Sequence, residues 1–563
     1  MTFAALGDSA VVVTLGGGES EAVLARVRAL AQALEEAKLP GVVDIVPAYA
    51  SIAVFRREPS AGHPSFDELR QAIEAVAKAA TGKVRRLRRR LRARKAAAPL
   101  VEIPVCYGGE FGPDLPEVAE HASVDPVRAI SLHQGGDYRV QAIGFAPGFP
   151  YLSGLPPALH TPRKATPRTA VPAGSVGIGG GQTGVYPLET PGGWQLIGRT
   201  PLALFDPAEK PPARLRVGDR VKFRAIQEAE FQRLQFEHRP RREKPARAEP
   251  PPEGRALRVI RPGLLTTVQD LGRPGFRAAG VPAGGAMDSF ALRVANLLVG
   301  NPENAAGLEI TLAGPELEFP AETLVAVAGA EFDGVPSWRP RLVGAGERLS
   351  FGGCRRGCRA YLAVAGGLDA PAVLGGRGAF LRGEFGGFEG RPLQEGDWLP
   401  LGRAGRAPAV PPSASWRVSR SILPAYSSEA RLRVIRGAQA AEFGAELWSA
   451  EFVLTTQADR MGLRLAGPAL ERRRGAELLS TAVAPGTVQV PPDGQPILLM
   501  ADAQTIGGYP QAAHIAGCDL PVAAQLRPGD RVSFQEISLE EAQALARTRE
   551  RDLGILRAGL GCP

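Results

Sequence analysis

Two short phrases carry side chains suited to chemistry. The chain reads GGGQTGVYP at 179–187 and ADAQTIGGYP at 501–510, and each sets an amide, a hydroxyl and a phenol on glycine-flanked backbone. Gln182, Thr183 and Tyr186 in the first, and Gln504, Thr505 and Tyr509 in the second, could orient an amide or acyl group by hydrogen bonds. Polar side chains on such loops are where binding concentrates, although the same residues also suit ordinary turns. TPRKATPRT, at 161–169, brings Arg163, Lys164 and Arg168 into one segment. Guanidinium groups grip carboxylate or phosphate in pairs of hydrogen bonds and a lysine adds a movable point charge, so the segment suits an anion; a solvated basic loop is the competing reading. TTVQDLGRPG sets Gln269, Asp270 and Arg273 around a turn, and Asp502 stands two residues before Gln504. A carboxylate in either place could take a proton as a catalytic group, or cap its own turn. His514 follows the second phrase and is the histidine nearest these candidates, with a packed role competing against a catalytic one.

The elements that must position these groups are repeated. Val171-Pro172 matches Val490-Pro491, Gln182-Thr183 matches Gln504-Thr505, Tyr186-Pro187 matches Tyr509-Pro510, and LRVGDRVKF at 215–223 matches LRPGDRVSF at 526–534. Unequal spacings between ordered anchors are what loops between retained strands produce, so two related barrel-like domains are expected. With 68 Gly and 51 Pro, the composition points to short strands and tight turns rather than helical bundles.

The expected fold is mainly β with α+β parts: tandem barrels plus a small N-terminal α+β domain. Residues 1–82 form that domain, with a helix opened by Ser20 and a second one striped by Leu69, Ile73, Val76 and Ala80. An arginine-rich linker follows at 83–98, the first barrel at 99–228, and a charged, proline-rich interdomain linker at 229–255. Residues 256–410 are a further domain with one helix, capped by Asp288 and stopped at Gly300. A linker at 411–429, the second barrel at 430–545 and a C-terminal tail at 546–563 complete the chain.

The net charge of +9 is local, because KVRRLRRRLRARK at 83–95 supplies nine basic residues and no acidic one, leaving the remainder balanced. A basic face for a nucleic-acid backbone is therefore not expected; the run suits a linker, an exposed helix face or an acidic partner. The five cysteines are scattered and no metal-ligand spacing occurs, which suits reduced thiols and a cytoplasmic protein. No apolar run is long enough to span a bilayer, and no secretory signal is read at the start.

The stretches YRVQAIGFAPGFPYLSGLP and TPRKATPRTAVPAGSVGIGGGQTGVYPLETPGGWQLIGRTPLALFDP resemble the B subunit of bacterial ATP-dependent 5-oxoprolinase, also met as allophanate hydrolase subunit 1 and as a sporulation-kinase inhibitor. GLLTTVQDLGRPGFRAAGVPAGGAMDSFALRVANLLVGNPENAAGLEIT and VQVPPDGQPILLMADAQTIGGYPQAAHIAGCDLPVAAQL resemble the C subunit of the same enzyme. The resemblance implies cyclophilin-like barrels related to the carboxyltransferase part of urea amidolyase and urea carboxylase, here fused. It implies a partner, the separate A subunit, and ATP-driven opening of 5-oxoproline to glutamate with ATP and Mg2+ as cofactors. The cationic segment would then hold substrate or ATP, and Asp270 or Asp502 could meet Mg-ATP or move a proton. Homo-oligomerisation stays open.

No G-x-x-x-x-G-K-[ST] occurs, so ATP is not held by a P-loop, and the glycines of GIGGGQ fit tight barrel turns better than a dinucleotide loop. AGSVG around Ser175 is not a nucleophile elbow, and no Ser-Ser-Lys amidase signature appears, which disfavours direct allophanate hydrolysis. None of the four Met residues adjoins Lys, so a carboxyltransferase would need its biotin carrier on another chain. That carboxyltransferase, in a urea carboxylase-like enzyme, is the alternative function, and a histidine-kinase inhibitor is a third.

Overall fold

The computed structural model describes residues 1–18, 20–57, 65–91 (backbone only over 80–91), 100–237, 255–405, 416–473 and 478–562. Most of the expected interdomain linker, 238–254, the end of the arginine-rich run, 92–99, and residues 406–415 lie outside these.

The N-terminal strands Thr2–Leu6, Ala10–Thr14, Ser51–Arg56 and Val42–Ala48 pair antiparallel in that spatial order. Helices Glu21–Ala37 and Phe66–Leu91 pack against them through Val27, Leu34, Leu69 and Ile73. Ser20 caps the first helix, its hydroxyl accepting from the Val23 N–H at 3.2 Å. The second helix runs through the expected boundary at 82, so the backbone of the arginine-rich run is helical as far as Leu91 and is not a linker there.

This sheet continues into the first barrel through Ala48 beside Ala142. In circuit the barrel strands are Leu100–Tyr107, Gln195–Arg199, Ser175–Gly179, Gln182–Val185, Pro150–Ser153, Tyr138–Ile143 and Arg220–Ala225, closed by a parallel pairing of first and last. The second barrel repeats the circuit with Glu429–Arg436, Gln511–Ile515, Thr487–Gln489, Ile497–Leu499, Gly462–Ala466, Phe452–Ala458 and Arg531–Glu536, again with a parallel closure. Even the turn before the last strand is shared: Asp219 accepts from the Arg216 N–H and Asp530 from the Arg527 N–H, both at 2.8 Å, with Gly218 and Gly529 at φ +90° and +95°. That left-handed backbone is why glycine stands at each.

The circuits correct the alignment of the two phrases. Gln182–Val185 is equivalent to the strand Ile497–Leu499, so Gln182 corresponds to Gln495, and Val171 corresponds to Val483. Thr505 corresponds to Thr190, because each heads the outer strand of a side hairpin: Arg168–Val171 with Thr190–Gly192, and Thr481–Ala482 with Ile506–Gly507. The phrases look alike in letters but occupy different strands, since strand register and not local spelling decides equivalence.

Between the barrels, a four-stranded and a five-stranded sheet form a sandwich over a core that includes Leu257, Val268, Leu317, Phe319 and Leu362. Helix Ser289–Leu298 covers the outer face of the larger sheet, capped by Asp288, whose carboxylate accepts from the Ala291 N–H at 2.9 Å. Residues 546–562, expected as part of a tail, are packed instead: helix Leu539–Gly559 and the Leu560 that follows it bury Leu553 and Leu560 against the same cluster.

Candidate functional site

Three loops, one from each barrel and one from the sandwich between them, meet at one seam. The loop after Tyr138–Ile143 reads GFAPGFP; the loop after Leu265–Gln269 reads DLGRPGFRAAG; the third leads into Ile506–Gly507. The Gly148 N–H donates to the Ala279 carbonyl at 2.8 Å and the Gly284 N–H to the Ala501 carbonyl at 3.2 Å. Asp44 accepts from the Gly275 and Arg277 N–H groups and from the Arg277 guanidinium, at 2.9, 3.0 and 2.9 Å. Ile506 is wholly buried against Gly144, where a Cβ would lie 2.4 Å from its own. Phe145, next in the chain, holds φ +67° with its ring edge against Phe149 and Tyr186. A bulky residue with left-handed backbone is strained, and such strain persists where the surroundings fix it.

Behind this seam lies a buried ionic centre. Arg460 donates to both oxygens of Asp502, at 2.8 and 3.1 Å, to Glu309 at 2.5 Å and to the Gly285 carbonyl at 2.6 Å. Glu309 also accepts from the Met287 N–H and the Tyr361 hydroxyl. Burial raises the Glu309 pKa, but Arg460 and Arg359 outweigh it and the net shift is downward. At Asp502 burial wins over Arg460 and the pKa rises. Both Asp502 oxygens serve Arg460, so this carboxylate aligns a cation before it can act on a ligand.

Asp270, expected as a catalytic carboxylate, is a clasp instead. Its oxygens accept from the backbone N–H groups of Gly272, Arg377 and Gly378, at 2.8, 2.6 and 3.1 Å, tying its own turn to the loop around 377. Gln269 donates to the Ala379 carbonyl at 3.1 Å and is fully buried. Arg273 is 1% exposed, donates to the Gly378 carbonyl, and lies over the Phe385 ring at 5.0 Å. Its Nε and Nη1 have no hydrogen-bond partner among the described residues. A Cβ at Gly284 would sit 3.5 Å from both Arg273 Nη1 and Asp502 Oδ1, so the structure does bring these two expected residues together.

In the first barrel the expected ligand groups are mostly spent on the fold. Thr183 is in the core, its hydroxyl donating to the Gly177 carbonyl and lying 3.1 Å from His133 Nε2. The Tyr186 hydroxyl is held by the Trp194 backbone, and burial lifts its pKa to about 12. Lys164 pairs with Asp114 and Glu117, each at 3.0 Å, and Arg168 with Asp114 at 2.7 Å. Arg163 is exposed, makes no ion pair among the described residues, and lies 6.0 Å from the Trp194 ring centre. Gln182 is half-buried at the strand start.

Gly177, Gly179 and Gly184 are not turn residues: a Cβ on Gly179 would lie 2.6 Å from the Trp194 indole, so this bare sheet face exists to admit that ring. Within the second phrase Thr505 is buried with its hydroxyl unpartnered among the described residues, Gln504 is half-buried, and Tyr509 is 42% exposed. His514 is buried, its Nδ1 3.3 Å from the Thr487 hydroxyl, and burial lowers its pKa to about 4. A neutral imidazole is therefore the state at neutral pH. Thr183 thus lies inside the first barrel and Thr505 beside the side hairpin at the seam.

Sequence reasoning missed Arg460, Glu309, Asp114 and Trp194. Asp114 precedes Leu-Pro and reads as an ordinary helix cap; Arg460 and Glu309 are 151 residues apart, and no local pattern pairs them.

The carboxyltransferase-domain model for subdomains C and D matches residues 1–215, and that for subdomains A and B matches 279–536. Over 233 residues, 40% of this chain and 93% of the relative, the chain is 46% identical to the B subunit of 5-oxoprolinase from Bacillus subtilis. Over 306 residues, 52% of this chain and 96% of the relative, it is 42% identical to the C subunit of 5-oxoprolinase from Escherichia coli. The crystal structure of TTHA0988 superposes with a TM-score of 0.77 at 36% identity, covering 93% of this chain and 99% of that one. Among the described residues no helix is long and apolar enough to cross a membrane.

Proposed function

From the premise that this chain belongs to the family of 5-oxoprolinase B and C subunits and carries both in one polypeptide, we propose that it is the B/C component of an ATP-dependent 5-oxoprolinase. It acts with a separate A subunit to open the lactam of 5-oxoproline to glutamate. The observation that carries this reading is the seam itself: loops from the B-like and C-like halves interlock through Gly148–Ala279, Asp44–Arg277 and Gly144–Ile506. Two subunits that act as one catalytic unit gain a fixed geometry when joined this way.

A lactam resists attack at neutral pH because amide resonance makes its carbonyl carbon a poor electrophile and its ring nitrogen a poor leaving group. Transfer of a phosphoryl group from ATP to the carbonyl oxygen, with release of ADP, would activate that carbon so that water adds and the ring C–N bond breaks, the nitrogen taking up a proton. The resulting acyl phosphate is then hydrolysed to glutamate and phosphate. On this reading Arg163 meets an anionic group of the ligands, being the cation of its segment without a carboxylate partner among the described residues. At the seam, Arg460 held by Asp502 and Glu309 keeps Arg273 and the hairpin that bears Gln504 and Thr505 in place. No group of three or more metal-ligating side chains stands together among the described residues. Mg2+ would therefore arrive with the phosphates of ATP, and no step is assigned to it.

The test mixes the purified chain with the A subunit, 5-oxoproline and Mg-ATP and follows glutamate and phosphate. Turnover that needs every component is expected. Absence of turnover together with carboxyl transfer from a biotinylated carrier would instead establish the carboxyltransferase activity of the family's domain description. Tight binding to a histidine kinase with neither activity would establish the regulator.

A further inference from the structure

In the first barrel a recess of about 460 Å³ opens between the helix Leu115–His121 and the loop 161–166, with Gln195 in its wall. The loop is pinned to the barrel at three points. The Gly180 N–H donates to the Thr161 carbonyl at 2.8 Å, the Lys164 N–H to the Gly193 carbonyl at 2.7 Å, and Gln195 Nε2 to the Pro162 carbonyl at 3.1 Å. Arg163 stands between these anchors, so its place on the recess is set by the fold.

Gln195 opens the strand Gln195–Arg199 and is 3% exposed. Because a carbonyl can only accept, the nitrogen of the Gln195 amide must be the atom that faces Pro162, and Oε1 is turned the other way. That oxygen has no hydrogen-bond partner among the described residues. A buried acceptor left without a donor is costly and uncommon in folded proteins, and a ligand N–H would satisfy it.

Among the described residues the charges at the recess are Arg163, Lys164 and Arg168 against Asp114 and Glu117. Lys164 pairs with both carboxylates, each at 3.0 Å, and Arg168 pairs with Asp114 at 2.7 Å. Arg163 is the remaining cation, exposed, without an ion pair among the described residues and 6.0 Å from the Trp194 ring centre. His121, also exposed, is the wall's other titratable group. The recess thus offers one uncommitted guanidinium and one uncommitted buried acceptor. A carboxylate suits the first and an amide N–H the second, whereas the triphosphate of ATP presents acceptors and matches only the first.

We propose that this recess binds a compact carboxylic acid that carries an amide N–H, with Arg163 pairing with the carboxylate and Gln195 Oε1 accepting the N–H. Gln195 is then the residue that distinguishes a lactam acid from acids of the same shape. The identity of that acid as 5-oxoproline rests on the function proposed above; the pairing of guanidinium and amide acceptor rests on the geometry of the recess.

The test titrates the full chain alone by calorimetry with three ligands. These are 5-oxoproline, 3-oxocyclopentane-1-carboxylate, in which a methylene replaces the ring N–H, and 2-pyrrolidinone, which lacks the carboxylate. Saturable binding of 5-oxoproline is expected, with the methylene acid at least about tenfold weaker, because a site built to accept an N–H rejects an analogue without one. No saturation is expected with 2-pyrrolidinone. Gln195→Met should bring the two acids within about threefold of each other. Loosening of the loop by that change would weaken both acids alike, so their ratio reports the hydrogen bond itself. Arg163→Ala should weaken both acids by about tenfold and keep the ratio, and Arg163→Lys should recover part of the loss. Should Gln195→Met fold poorly, the wild-type ratio and the exposed Arg163 still decide the matter. The proposal is overturned if 5-oxoproline does not saturate the chain, if wild type binds the two acids alike, if Gln195→Met keeps the wild-type ratio, or if Arg163→Ala binds as wild type does. Turnover with the A subunit but no preference in these titrations removes this site and leaves the proposed function; preference without turnover does the opposite.

Discussion

Ile506 of the second barrel fills the space that Gly144 of the first half leaves open; a Cβ at 144 would approach within 2.4 Å of the Ile506 Cβ. The contact joins residues 362 positions apart in sequence and closes the seam on which the functional proposal depends.

Gly144→Ala should therefore push the halves apart, at a cost of about 1–3 kcal/mol for overpacking. Ile506→Ala should cost about 2–5 kcal/mol by leaving a cavity. Denaturant unfolding measures both. The double variant should cost less than the sum, because the methyl group added at position 144 can occupy part of the space vacated by Ile506.

Arg460→Met removes the shared partner of Asp502 and Glu309 and strands two buried carboxylates. A loss of about 3–5 kcal/mol is expected. Adding Asp502→Asn and Glu309→Gln to Arg460→Met should recover a large part of it. If Arg460→Met alone leaves the unfolding midpoint unchanged, the centre does not hold the seam.

Asp270→Asn separates a clasp from a catalyst. Loss of charge at three backbone N–H bonds should lower stability by about 1–3 kcal/mol. Turnover per folded molecule should fall less than about tenfold, whereas loss of a general base costs on the order of 10² to 10⁴.

Arg163→Ala should raise the KM for an anionic substrate about tenfold without moving the unfolding midpoint, since it forms no ion pair among the described residues. Arg168→Ala should do the reverse. It leaves the buried Asp114, whose pKa Arg168 and Lys164 help hold down against burial, with one cation fewer.

The buried histidines set an acid limit. Burial lowers His514 to about 4 and His133 to about 3 from an ordinary 6.5, so the unfolded chain takes up these protons first. Stability from this source is fully present above pH 6.5 and is lost as pH falls toward the folded values. Each histidine contributes a slope of about 1.4 kcal/mol per pH unit within its window. His514→Gln should remove one proton from the pH dependence of unfolding between pH 6 and 4.

Much of the architecture was legible in the sequence. The repeated LRxGDRVxF turns marked the last strand of each barrel, and Ser20 and Asp288 announced helices that each of them does cap. Local patterns suffice there because capping and turn geometry are settled within a few residues. The paired Gln-Thr phrases misled because strand register carries Thr183 into a core and Thr505 to a seam.

The sequence alone determined a fused, mainly β chain of the B and C family, because barrel strands, caps and glycine turns are written in short stretches of neighbouring residues. Only the tertiary structure decided which polar groups are spent and which remain. Asp270 goes to backbone N–H groups, Lys164 and Arg168 go to Asp114, and Asp502 goes to Arg460, while Arg163 is left without a carboxylate partner among the described residues. The physical reason is that Coulombic and hydrogen-bond partners are chosen by distance in space, and the chain brings those partners together only when its two halves close on one another.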